Sequence, residues 1–135
     1  MQTRLSKLRV FWLLIIAALV LGAGCGDDEA DDVAQLEKMG QEIIRFIGDA
    51  ACDDSTDCRY IAFGAKPCGG PWKYLVYSVA TLDTVELALR VAVYNEFNRE
   101  LNLRYGWMSD CSVPGPPNPG CREGRCVDLG RAANP

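Results

Sequence analysis

Apolar residues recur at Val33, Leu36, Met39 or Gly40, Ile43, Ile44 and Ile47. That spacing predicts a helix over 33–47 with one face turned to a core. Asp31 and Asp32 stand at its start, where the helix dipole favours negative charge, and Gly48 is the expected stop. Cys52–Cys58 is a polar turn bounded by cysteines. Two short runs rich in aromatic and β-branched residues, Arg59–Phe63 and Tyr74–Ser78, predict strands. They are joined through the corner Cys68-Gly-Gly-Pro71, where glycine supplies unusual φ and proline fixes it. Asp83-Thr-Val-Glu86 has the spacing of a capping box. Beyond it Leu87, Val91, Tyr94, Asn98 and Leu101 share one helical face as far as Gly106, and that stripe reads as core. Trp107–Val113 reads as another strand. Pro114-Gly-Pro-Pro-Asn-Pro-Gly120 is expected to be irregular, because each proline removes a donor and restrains its neighbour. Cys121–Cys126 predicts a hairpin turn with Gly124 at its tip, leading into a last strand Arg125–Leu129. Residues 131–135 are an expected frayed end.

One stretch departs from this rhythm. Val10–Leu21 is unbroken apolar sequence, preceded by Arg4, Lys7 and Arg9 and followed by Gly22-Ala-Gly24. A positive start, an apolar run of this length and a small-residue close predict a signal peptide over 1–24. A membrane span needs roughly 20 apolar residues, and the run stops short. Leu21-Gly-Ala-Gly-Cys25 resembles the lipobox of bacterial lipoproteins, although the leucine of that motif usually stands three places before the cysteine, where this chain has Gly22. The resemblance implies that Cys25 is lipidated (palmitate among its acyl chains), becomes the new N-terminus and holds the protein to a membrane. Gly26, in place of aspartate after the cysteine, implies the outer membrane or cell surface of a bacterium. Residues 25–32 are then a lipidated cysteine and an acidic tether, extended by like-charge repulsion.

Cysteine count changes the picture further. Of seven cysteines, six lie beyond Cys25, an even number that can close three bridges. That density in a short exported chain predicts a disulfide framework. The fold class expected is therefore α+β: one small disulfide-stapled domain over 33–130, with two helices and a short antiparallel sheet. Six cysteines allow 15 pairings. Cys-x5-Cys at 52 and 58 and Cys-x4-Cys at 121 and 126, with Asp57 and Gly124 beside them, are similar to small extracellular modules in which two such pairs interleave. That similarity implies Cys52–Cys121 and Cys58–Cys126, leaving Cys68–Cys111. The wider layout CRYIAFGAKPCGGP…YN…SDC…C…GRC resembles cysteine-rich domains of uncharacterised bacterial lipoproteins, which carry no assigned activity.

Charge and chemistry narrow the function. The sequence has no histidine and a net charge of −4. Its three earliest cations precede Cys25 and all its acids follow it, so the exported part has no basic footprint for nucleic acid. Absence of histidine removes the commonest general base and metal ligand. No metal and no cofactor is expected: zinc sites favour tight Cys-x2-Cys pairs, and Asp53, Ser55 and Asp57 lack the turn glycine and closing glutamate of a calcium loop. Serine chemistry with a lysine base would need a serine against Lys66 or Lys73, and nothing in the sequence places one there. The reading is a non-catalytic envelope lipoprotein, membrane-bound through Cys25, with a binding or structural role toward an envelope protein. The alternative is a secreted disulfide-rich protease inhibitor or receptor-like module presenting the 112–120 loop, with Pro114, Pro116, Pro117, Asn118 and Pro119 as the contact residues. A rigid loop of that kind is ordered in advance of binding.

Overall fold

The computed structural model describes residues 28–130; the predicted signal peptide, Cys25 and the first two tether residues lie outside them. Helix α1 spans Asp28–Ile47, so it starts five residues before the expected Val33. Asp28–Asp32 are helical rather than an extended tether. Asp28, Glu29 and Asp31 occupy the first turn, where unpaired amides attract carboxylates, and this offsets their mutual repulsion. Gly40, Ile43 and Ile47 are its buried positions, and Gly48 ends it with φ 62° and its amide donating to Ile44 O.

Strands β1, Cys58–Phe63, and β2, Lys73–Ser78, pair antiparallel from Cys58↔Ser78 to Phe63↔Lys73. Helix α2 spans Thr84–Tyr105. Strands β3, Pro119–Arg122, and β4, Arg125–Asp128, form a separate hairpin. The antiparallel part is therefore two small two-stranded sheets instead of one. Glu123 and Gly124 turn the hairpin with φ 53° and 74°, the positive pair that matches the twist of the flanking strands. Ala50–Cys52 runs beside β4: Cys126 N donates to Ala50 O at 2.9 Å and Cys52 N to Gly124 O at 3.0 Å.

Cys58 and Phe63 sit on opposite faces of β1 by the two-residue period, and both are buried. The hairpin covers the first face through Cys126. The helices cover the second, where Phe63 stacks on Tyr94 with ring centroids 4.1 Å apart. Ile43, Ile47, Leu87 and Val91 complete this core. Leu87 and Leu101 have no exposed surface, and each contributes on the order of 2 kcal/mol by burial.

Three local expectations are corrected. Trp107–Val113 forms no strand; it has the composition of one but no neighbouring strand to pair with. Asp83 caps α2 through the amides of Val85 and Glu86, but the Glu86 carboxylate turns to Arg90 at 2.7 Å, so the reciprocal half of the capping box is not made. Pro119 and Gly120 begin β3 rather than ending an irregular loop; a strand's first residue tolerates proline.

Candidate functional site

The six cysteines of the described residues are joined as Cys52–Cys121, Cys58–Cys126 and Cys68–Cys111, with Cα separations of 6.0, 5.4 and 5.3 Å. These are the pairs the extracellular-module resemblance implies. The first two lie together: the sulfurs of Cys52, Cys58 and Cys126 are within 4.8 Å of one another. As thiolates they would suit zinc, but bonded in disulfides they offer a metal no charged sulfur. The third joins two exposed residues at the corner. In the turn before β1, Asp57 accepts from the amides of Asp53 and Asp54. The Thr56 hydroxyl, then its amide, holds the Asp54 carboxyl below the usual range. Those acids serve the turn itself.

The corner is positioned from α2. Asn95 accepts from Gly64 N at 2.7 Å and donates to Ala62 O at 3.2 Å. Asn98 accepts from Ala65 N at 2.8 Å, and Asn102 donates to Ala65 O at 2.7 Å. Three amides on one helix face thus satisfy the backbone where β1 ends, a task a sheet neighbour would otherwise perform. Gly64 has φ 81°, and a Cβ there would stand 2.5 Å from Trp72 Cδ1. No larger residue fits that approach.

These bonds lead the chain into Lys66, whose side chain is 7% exposed. Its ammonium donates to Asp110 Oδ1 and Ser112 O, both at 2.7 Å, and to Ser112 Oγ at 3.4 Å. It also lies 5.0 Å from the Trp72 ring centroid. The three ammonium donors therefore meet three acceptors. The Lys66 hydrogen bond, followed by that from Ser112, holds the Asp110 carboxyl below the ordinary carboxylate range. A serine does stand against Lys66, contrary to expectation. Its hydroxyl, however, donates to Asp110 Oδ2 at 2.5 Å, and the amine acts as a donor to the carboxylate. A Ser–Lys nucleophile needs the amine as acceptor. The present arrangement is a clamp that fastens 110–112 to the corner.

The predicted loop follows from that clamp. Its near end is held by Lys66 and the Cys68–Cys111 bond, and Val113 packs within 3.2 Å of the space a Cβ on Gly70 would fill. At the far end Asn118 N donates to Asp128 Oδ1 and Asn118 O accepts from Leu129 N, both at 2.9 Å. Of the five candidate contact residues, Asn118 and Pro119 thus belong to the foot of the hairpin. Pro114, Pro116 and Pro117 form the span between the two anchors, Pro116 exposed and Pro114 and Pro117 half-buried. Beside the corner, Lys66, Gly69, Arg99, Asn102, Leu103 and Trp107 line an open cleft of about 420 Å³. Sequence reasoning placed Asn98 on the core face but missed Asn95, Asn102, the backbone bonds that all three make, and the clamp. Their one available signal was the spacing of Asn95, Asn98 and Asn102 along a single helical face.

Cys25 lies outside the described residues. Among those residues, no helix is long and apolar enough to cross a membrane. The chain matches no protein-family model, no curated protein and no solved structure.

Proposed function

We propose that the chain is a cell-envelope lipoprotein of non-catalytic binding or structural role, its disulfide-stapled domain attached to the membrane by a lipid on Cys25. The observation that carries this reading is the pairing of the cysteines. Six of the seven are consumed by one another, so among the described residues no cysteine is left to bond Cys25. An exported odd cysteine needs a use, and lipidation supplies one. Three disulfides also suit an oxidising compartment. The test is the intact mass of protein taken from the membrane fraction, before and after reduction and alkylation. The reading expects residues 25–135 plus acyl chains, with six cysteines alkylated only after reduction. A soluble, unlipidated species with Cys25 free or bridged to a second chain would overturn it.

The anchoring of the 112–120 loop at both ends favours a second reading, a secreted inhibitor or receptor-like module presenting Pro114, Pro116 and Pro117. Its test is a panel of serine proteases. Intact protein should slow one of them, and protein nicked within 114–117, with its disulfides preserved, should not. Equal inhibition by the nicked form, or none by either form, removes this reading.

A further inference from the structure

Helix α2 carries aliphatic residues on two sides, with Leu87, Val91 and Leu101 buried in the core. Its packed side carries Asn95, Asn98 and Asn102, while Val85, Leu89 and Val93, spaced four residues apart, are 68%, 59% and 62% exposed. A surface helix ordinarily turns such aliphatic residues inward, and a row of them in water gains free energy when something covers it. The row is also one wall of a groove. Leu89 and Val93 stand opposite Met39 of α1 over the buried Ile43, enclosing about 250 Å³. Past Met39 and Val93 the groove continues into a second hollow of about 340 Å³ against Phe97. Leu89 to Phe97 is about 12 Å of helix at 1.5 Å per residue, two turns long.

The rim has a sign. Glu42 stands on the α1 side, and Glu96 and Glu100 on the α2 side. Arg90 is the cation between them, and it is held by Glu86 at 2.7 Å and lies over the Phe46 ring. Glu96 is paired with Arg99. Among the described residues, neither Glu42 nor Glu100 makes an ion pair.

We propose that the α1–α2 groove docks a basic amphipathic helix of a partner protein. Two or three of its aliphatic side chains, at i, i+3 or i+4 and i+7, fill the hollows between Met39 and Phe97, the usual arrangement for a helix in a groove. Lysines or arginines flanking that stripe meet Glu42 and Glu100. Charge decides against other occupants: a second copy brings an acidic rim against an acidic rim, and an anionic lipid surface is repelled. The inference rests on the binding role proposed above and not on the lipid at Cys25.

Fluorescence anisotropy on the full chain, with its disulfides formed, tests it. The probe is a labelled 18-residue peptide of leucine and lysine, with leucines at i, i+3, i+4 and i+7. It should bind one to one, and more weakly as salt rises. Leu89→Ser with Val93→Ser, both exposed positions, should weaken binding at least tenfold while the circular dichroism stays that of the parent. Glu42→Gln with Glu100→Gln should weaken it less and flatten the salt dependence. The proposal is overturned if a scrambled peptide of the same composition, or a leucine–glutamate version, binds as well. It is equally overturned by unchanged affinity in the serine variant, by dimerisation of the chain through Leu89 and Val93 in sedimentation, or by binding to phosphatidylglycerol vesicles in place of the peptide. None of these outcomes alters the intact-mass result, so failure of the groove and failure of the anchor are told apart.

Discussion

The two ends of the β1–β2 ribbon are fastened by different means. At the Cys58 end, two neighbouring disulfides join the ribbon and its entry turn to the hairpin, and Cys58 and Cys126 are 2% and 7% exposed. At the Phe63 end the Cys68–Cys111 bond lies at the surface, and what holds 107–113 in place is a buried lysine with three oxygen acceptors. Where a second sheet is available, covalent links add to packing and ladder bonds. Where only an unpaired segment is available, a cation gathers one backbone carbonyl and two side-chain oxygens of that segment.

The sharpest way to break that contrast is to remove one disulfide at a time. Replacing Cys58 and Cys126 together with alanine should cost about 2–5 kcal/mol in urea unfolding. Replacing Cys68 and Cys111 together with serine should cost less and raise amide exchange chiefly within 107–118. Equal losses would mean that the corner is as integral as the hairpin. Next in size is Gly64→Ala, which forces a Cβ onto Trp72 at a positive φ and should cost about 1–3 kcal/mol, read from the same unfolding curves.

Lys66→Met should follow, at about 1–2 kcal/mol for the lost bonds, with faster exchange at 109–113 and an unchanged β3–β4 hairpin. Acid tests the same clamp. The Asp110 carboxyl is depressed in the folded protein, so its contribution is present above the unfolded value of about 3.9 and is lost as pH falls through the lower folded value. Trp72 fluorescence should report loosening only below about pH 4; loosening near neutrality would point to another group. The smallest effect has the opposite sign. A Cβ on Gly40 would meet Tyr94 and Phe63 at 3.4 and 3.5 Å, ordinary contact, so Gly40→Ala should stabilise by up to about 1 kcal/mol through helix propensity. A lower melting temperature would show that the stacked pair cannot give.

Periodicity and caps made most of this legible in advance. Gly48 and Gly106 stop helices as their positions imply, and the strands keep the boundaries of their aromatic runs to within a residue. Asn98 falls on the stripe that reads as core and is buried, but the bonds by which polar residues do a core residue's work escaped. Lys66 reads as a surface lysine until Asp110 and Ser112 are brought to it from more than 40 residues away. Asn95 and Asn102 read as helix surface because their partners are backbone groups of another element, which side-chain pattern does not reveal. Trp107–Val113 has strand composition, but pairing needs an available edge, and composition says nothing of edges. The α1 start was misplaced because the dipole was applied to a helix beginning at Val33, while repulsion was taken to keep Asp28–Asp32 extended ahead of it.

The hairpin disulfides also determine how the molecule bears load. Cys52 is linked to Cys121 and Cys58 to Cys126, at sequence separations of 69 and 68. Tension applied through α1 and the end of β4 passes across sulfur at Cys52, enters the hairpin and leaves by it. The ribbon, α2 and the proline loop hang on a closed circuit outside that line of force. Pulled from its two ends, the domain can extend only α1 and the short hairpin, so the groove, which has α1 as one wall, opens under strain while the covalently closed ribbon, α2 and proline loop stay joined.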